Sequence, residues 1–529
     1  MYKQKQVQSQ LQKLGRHLPF QHILIRSYIG SEGQLGDYDL GTFEGDSRER
    51  PTKIPRSAWS VLVVLSSLAT MVMYAETMLI PALPDIIREF DVSYTTASWI
   101  LSAYLIPGAV MTPIAGKLSD IYGRKKVLLV IMAIYAIGIA MAAFVDNIYW
   151  LFVSRTIQGI GIAMFVIAFS IIRDQFPRDK ISIGQGIISS MFASGAVIGL
   201  LIGSIIISNF GWRATFVSTL PIAIALFVVI WRYNYPDKKP NQTMPHLSRI
   251  VDIKGAILLS LFVTSFLIAL TLLQTGQGTN PSPMVAFLIA GGFSLAPFIA
   301  VEKRSNAPLV DLKLIAHKAI LPANLIIMVV GFSMFMVFQT IPVLVRNPLP
   351  LGFGGEAIAV AYVQLPFALV LLVFGPTSGL IVNKLGSVRP IIMGTGITTV
   401  GFFGLFAFHD DWAAVAVNLA VVSTGLSLAN VGAMNVTILA TPSGFTGMSL
   451  GMSNLLRILG SSVGPALAGV YMQTFQSSLE VGGRLVAFPS MQAFSVIFLT
   501  AMILSLVSMG FAFYLKRRLA KMSIPNLSA

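Results

Sequence analysis

The chain is a succession of long apolar runs separated by short polar stretches. A helix needs about 20 apolar residues to cross a bilayer core of about 30 Å. Fourteen runs meet that length, at approximately 57–80, 94–115, 127–145, 148–171, 184–208, 212–231, 253–273, 284–301, 319–345, 357–382, 390–408, 412–440, 446–475 and 491–515. Residues 1–56 are polar and Gln-rich and hold no run long enough for a signal peptide. They read as a cytoplasmic tail without fixed structure, although LGRHLPFQHILIRSYIG within them has the makings of a short amphipathic surface segment.

Composition agrees with the runs. Of 529 residues 55% are hydrophobic and 11% are charged, against about 25% charged in an ordinary soluble domain. The net charge of +15 does not mark a nucleic-acid binder, which needs a basic stripe on a water-soluble domain. Instead the bases alternate between the two sides of the runs. Of the 37 Lys and Arg, 31 fall in the tails and the loops on the tail side, 4 on the opposite side and 2 inside runs. That bias sets the tail side, with both termini, in the cytoplasm of a plasma-membrane protein. Trp59, Trp99, Trp150, Trp212, Trp231 and Trp412 mostly stand near run ends, where an aromatic belt is expected. Cysteine is absent, which excludes disulfides, thiol nucleophiles and Cys-zinc sites. None of the five histidines lies inside a run, and no HExxH, Ser/His pairing, embedded Asp pair or Walker A loop occurs. No enzyme, metal site or cofactor is therefore expected.

An internal repeat organises the runs. Gly116-Lys-Leu-Ser-Asp-Ile-Tyr-Gly123-Arg-Lys-Lys follows the second run, and Gly379-Leu-Ile-Val-Asn-Lys-Leu-Gly386-Ser-Val-Arg follows the tenth. Gly195-Ala-Val-Ile-Gly199 in the fifth run pairs with Gly460-Ser-Ser-Val-Gly464 in the thirteenth. The offsets, 263 and 265 residues, are nearly equal, so one duplication explains both. The expected organisation is a tail at 1–56, a six-helix bundle at 57–235, an inserted helix pair at 253–301, a second six-helix bundle at 319–516 and a tail at 517–529. Parallel repeats of six spans are the plan of one large transporter class.

The chain resembles the major facilitator superfamily, in particular its fourteen-span drug:proton antiporter branch, over roughly residues 57–515. The resemblance rests first on Gly116-Lys-Leu-Ser-Asp120-Ile-Tyr-Gly123-Arg124-Lys125-Lys126, similar to the loop signature between spans 2 and 3. There Gly116 and Gly123 would permit tight turns, Asp120 would accept bonds from helix N-terminal amides, and the bases would meet lipid phosphates. It rests next on Arg155-Thr-Ile-Gln158-Gly159 in span 4. Gly195, Gly199 and Gly203 in span 5 resemble the antiporter motif, except that Leu200 stands where the family has Pro; Gly464-Pro465 in span 13 carries that pair instead. Close helix packing also accounts for glycines at this spacing. The resemblance implies an all-α polytopic fold of two six-helix bundles related by a pseudo-twofold axis, with two extra helices inserted. It implies a monomeric secondary transporter, working by alternating access between the bilayer, a small-molecule substrate and protons. Export of hydrophobic or cationic compounds is the first expectation; uptake or exchange of a small metabolite or organic anion is the alternative.

Three charges fall well inside runs: Glu76, Arg155 and Arg457. A charge at the bilayer centre costs from about 2.5 to more than 10 kcal/mol and is commonly functional. Glu76 is the sole carboxylate among them and lies at a depth similar to Arg155, in the outer half. A proton-coupling pair is expected, in which the carboxyl alternately meets Arg155 and a cation; a static ion pair, or a Glu76 simply wetted at the outer rim, is the other reading. Arg457 lies toward the cytoplasmic end of its run, where snorkelling is an alternative to function.

Overall fold

The computed structural model describes residues 53–92, 94–177, 180–232, 252–274, 281–305, 308–355, 357–442, 445–481 and 484–520. Nearly all of both tails, including the LGRHLPFQHILIRSYIG segment, lies outside them. Among the described residues fourteen helices are long and apolar enough to cross a membrane. Numbered spans 1 to 14, they are Arg56–Ala82, Trp99–Tyr122, Arg124–Ala143, Ile148–Gln175, Ile181–Phe210, Arg213–Arg232, Ile253–Leu273, Ser282–Arg304, Ile320–Arg346, Tyr362–Leu385, Val388–Ala407, Trp412–Ala440, Thr446–Thr474 and Met491–Ala520. Their number is even, so span 1 begins and span 14 ends on one side, the tail side.

The spans follow the apolar runs one for one, but several helices extend beyond them. The helix of span 2 continues to Tyr122, so the stretch Gly116–Tyr122 forms its last two turns and is not a loop. The turns come one residue later, at Gly123 (φ 96°), and in the second half at Gly386 (φ 75°). Only glycine adopts such values at little cost, and the two stand 263 residues apart, at the repeat offset. The α-helix of span 1 ends at Thr77, because Pro81, four residues on, has no N–H to give the Thr77 carbonyl. The chain then turns through Ile80–Ala82 into a short helix, Leu83–Phe90.

Each half has its own core. Tyr104, Tyr135, Phe169 and Phe216 anchor the first, and Phe402, Phe494 and Phe498 the second. The inserted pair is not a separate unit: span 7 packs on spans 2 and 13, at the seam of the two halves, and Ser102 and Thr271 share a hydrogen bond of 2.9 Å there. Between spans 13 and 14 an antiparallel hairpin forms, β1 (Gln476–Val481) on β2 (Arg484–Pro489).

Candidate functional site

Arg155 is fully buried in span 4. Its Nη1 donates to the Ala75 carbonyl and to Gln158 Oε1, each at 3.0 Å. Its guanidinium lies 4.3 Å from the centre of the Tyr104 ring. Gln158 donates onward to the Gly138 carbonyl and Tyr104 to the Val72 carbonyl, both at 3.0 Å. One side chain thus joins spans 1, 2, 3 and 4. Ring face and carbonyls replace the water a buried cation would otherwise hold. The replacement is incomplete, because Nε and Nη2 have no protein acceptor.

The Glu76–Arg155 pair is not formed in this structure: no ion pair joins the two. Arg155 takes the backbone carbonyl of Ala75, and adjacent residues on a helix do not share a face. Glu76 is partly exposed. Arg457 does not snorkel. It stands about 17 Å along the helix of span 13 from its first residue, at 1.5 Å per residue, and Nε donates to Asn454 Oδ1 at 2.9 Å. Its guanidinium carbon lies 4.9 Å from the centre of the Phe192 ring and 6.0 Å from that of Phe165. A side chain of the second half therefore caps an aromatic pair of the first.

Arg457, Phe165 and Phe192 border a cavity between the halves. Phe165, Phe192, Phe338, Phe367, Met334 and Met434 supply most of the contact faces, and Arg457 is the one charged residue among the described lining residues. Such a wall suits large apolar and aromatic compounds.

The glycine pairs found in the sequence hold the helices that frame this cavity. A Cβ on Gly195, Gly199 or Gly203 would fall 2.6, 2.7 or 2.9 Å from the carbonyls of Thr70, Tyr74 and Met78. Span 5 thus presses its backbone on span 1, the helix of Glu76. In the second half Gly460 and Gly464 of span 13, the latter followed by buried Pro465, meet the carbonyls of Met328 and Phe332 in span 9 at 2.1 and 2.4 Å by the same measure. The repeat therefore reappears as two matching helix contacts.

On the tail side the halves are joined. Gly116 is a contact point and not a turn: its Cβ would lie 2.2 Å from the Gly447 carbonyl. Asp120 accepts from the amides of Gly447 (3.1 Å) and Met448 (3.0 Å), at the start of span 13, where free N–H groups and the helix dipole favour an anion. Arg173 of span 4 donates to the Thr441 carbonyl at 2.6 Å and to the Thr446 hydroxyl. The second seam closes similarly, with Ser182 Oγ donating to the Gly379 carbonyl at 2.9 Å. Arg124 does not meet lipid. It is buried between Asp174, the Ser170 carbonyl and, at 3.9 Å, Asp120. Lys125 donates to the Trp231 carbonyl at 3.1 Å.

The sequence reading missed one link. Buried Lys117 donates to the Pro308 carbonyl, and buried Glu302, at the end of span 8, accepts from the Val310 amide at 3.3 Å. The inserted pair is thereby tied to the end of span 2. Glu302 sits in Val-Glu-Lys-Arg after an apolar run, which in sequence reads only as an interfacial charge.

The description of the Major Facilitator Superfamily matches residues 65–465. The chain belongs to that family, whose members are transporters and not enzymes. An uncharacterized MFS-type transporter of Mycobacterium tuberculosis is 26% identical over 413 residues, covering 76% of this chain and 57% of the relative; the chain thus spans little more than half of that protein's length. The tetracenomycin C resistance and export protein of Streptomyces glaucescens is 26% identical, with 78% of this chain and 76% of the relative covered. Multidrug resistance protein 3 of Bacillus subtilis is 25% identical, with 81% and 83% covered. In fold the chain is similar to the human organic anion transporter MFSD10 (TM-score 0.59, 16% identity, 87% of this chain and 100% of that one). It is also similar to a proton:xylose symporter (TM-score 0.60, 12% identity, 87% and 97%).

Proposed function

We propose that the protein is a secondary transporter of the plasma membrane that exports hydrophobic or cationic compounds in exchange for protons. It acts as a monomer with both termini in the cytoplasm, so the tail-side contacts close the cytoplasmic face and the cavity serves the opposite face. The observation that carries the reading is Glu76. The other carboxylates within the described spans, Asp120, Asp174 and Glu302, lie at helix ends, which leaves Glu76 as the acid placed to carry a proton at depth. A cation that arrives beside a carboxyl favours its ionised form, so a cationic substrate meeting Glu76 would release its proton. Arg155, with two donors unpaired, is an acceptor-seeking partner for the same carboxylate in another state. The names of the Streptomyces and Bacillus relatives support export as the direction. Ethidium should release protons on binding to the detergent-solubilised wild type, and Glu76→Gln should release none; equal release from both would move the proton carrier elsewhere.

A further inference from the structure

We infer that Arg457 is an oxyanion position built into the wall of the cavity, and that flat aromatic compounds bearing one carboxylate, sulfonate or phenolate are among the substrates. The inference rests on the proposed function in one respect, that this cavity is where substrate binds. It does not depend on the role of Glu76.

The side chain is held along its whole length. At its base span 9 presses on it: a Cβ on Gly331 would fall 2.7 Å from the Arg457 carbonyl and 3.4 Å from Arg457 Cγ. Further out, Nε donates at 2.9 Å to Oδ1 of buried Asn454, three positions back on the same helix face. At its end the guanidinium lies beside the rings of Phe192 and Phe165, whose centres are 4.2 Å apart. What stays unused is the edge formed by the two terminal nitrogens. Among the described residues neither makes a hydrogen bond, and no ion pair joins Arg457 to a carboxylate. Arg457 lines the cavity, so this edge is available to whatever occupies it.

The chemistry of that edge selects the ligand. Two N–H groups of a planar fork match two oxygens of a carboxylate or sulfonate. Ring faces attract a guanidinium but accept none of its in-plane hydrogen bonds. A cation taken out of water needs both a counter-charge and acceptors, and one anionic oxygen group supplies both. The other polar lining side chains, Thr77, Ser189, Ser190, Ser427 and Asn430, are uncharged, so selection by charge falls to Arg457. A single cation does not suit a small hydrophilic polyacid, which would meet mostly apolar wall. An aromatic body does suit it. Beyond the Phe165–Phe192 pair, Phe338 stands 6.0 Å from Phe367 and 6.5 Å from Phe335, and all five rings line the cavity. Glu76 is not among the described lining residues, so cations that answer to Glu76 and oxyanions that answer to Arg457 are separable classes.

The test uses one ring system with three head groups: 1-pyrenesulfonate, 1-pyrenemethanol and 1-pyrenemethylammonium, at neutral pH, on the full chain in lipid nanodiscs. Each variant is compared with wild type probe by probe, which cancels partition into lipid. Arg457→Gln should weaken 1-pyrenesulfonate about tenfold or more, the usual loss when a hydrogen-bonded charge is removed. It should leave 1-pyrenemethanol unchanged and bind 1-pyrenemethylammonium at least as tightly as wild type. Arg457→Lys keeps the charge but loses the fork, and its affinity for 1-pyrenesulfonate should fall between the two. Glu76→Gln should bind 1-pyrenesulfonate at least as tightly as wild type. Unchanged sulfonate binding in Arg457→Gln would overturn the inference. So would an equal loss of all three probes in both Arg457 variants, which would make the residue a structural support, or weaker sulfonate binding in Glu76→Gln. Absence of binding of any pyrene to wild type above empty nanodiscs would defeat the reading of the cavity as the substrate site, and the inference with it. Proton release by ethidium, which tests the proposed coupling, does not enter this comparison, so either can fail alone.

Discussion

Glu89 shows how a single side chain positions an element at the end of the bundle opposite the tails. It accepts from Trp212 Nε1 at 2.7 Å and pairs with Arg213 at 2.6 Å, tying the helix Leu83–Phe90 to the start of span 6. Burial pushes its pKa up, but the bonds from Trp212 and Arg213 and the Arg213 charge outweigh it and hold the carboxyl below the usual glutamate value. A group depressed in the folded state stabilises above its unfolded pKa and loses that contribution as pH falls through the folded one. The contact should therefore be intact at neutral pH and lost only below the ordinary glutamate range. Its contribution is about 0–1 kcal/mol, since the side chains are 33% and 39% exposed. The fluorescence component of Trp212, taken as wild type minus Trp212→Phe, should titrate there and cease to titrate in Glu89→Gln; a midpoint at or above the ordinary value would contradict the geometry. Trp212 also marks where the sequence stops being legible. Trp59, Trp150, Trp231 and Trp412 stay exposed at span ends, whereas Trp212 is buried, because its partner is 123 residues away. Arg124 and Lys125 look alike in sequence for the same reason: it takes Asp174 and the Ser170 carbonyl, brought by span 4, to bury one of them.

At the scale of elements, glycine spacing predicts which helices can be disturbed. A Cβ at Gly199 would lie 2.2 Å from Thr77 Oγ1 and 2.7 Å from the Tyr74 carbonyl, whereas Gly396 in span 11 has nothing within 4 Å. Gly199→Val should push span 1 and Glu76 aside, cost about 1–3 kcal/mol and abolish coupled transport. Gly396→Ala should leave transport unchanged and raise stability by up to about 1 kcal/mol. Thermal unfolding and dye export in the two variants check this, and equal effects would contradict the packing. The spans themselves are legible because about 20 apolar residues in a row leave few alternatives. Their ends are less so. The polar turns Gly116–Tyr122 remain helical because Asp120 and Lys117 find partners on other helices, which hydropathy cannot register. The hairpin β1–β2 had a usable signal, two short alternating stretches around Gly482-Gly483, but next to two long apolar runs it reads as an ordinary loop.

At the scale of the whole molecule, the repeat at one offset indicates two equivalent halves, and the matching contacts of spans 5 on 1 and 13 on 9 carry it into three dimensions. What the repeat does not reveal is the asymmetry between the halves: Asp120 and Arg173 hold the first half to the start of span 13, and span 7 covers that seam. Orientation is testable because the chain has no native cysteine. A cysteine introduced at Ser282 should react with an impermeant reagent from outside the cell, and one at Asn241 only after permeabilisation; the reverse would invert the topology and the assignment of the closed face. The central claim, that one carboxylate couples a proton gradient to substrate movement, is tested most directly in proteoliposomes with an imposed pH gradient. Wild type should move ethidium uphill, against its own concentration gradient, while Glu76→Gln should show only downhill movement and Glu76→Asp partial uphill activity with a shifted pH optimum. Uphill transport by Glu76→Gln at the wild-type rate would contradict the account.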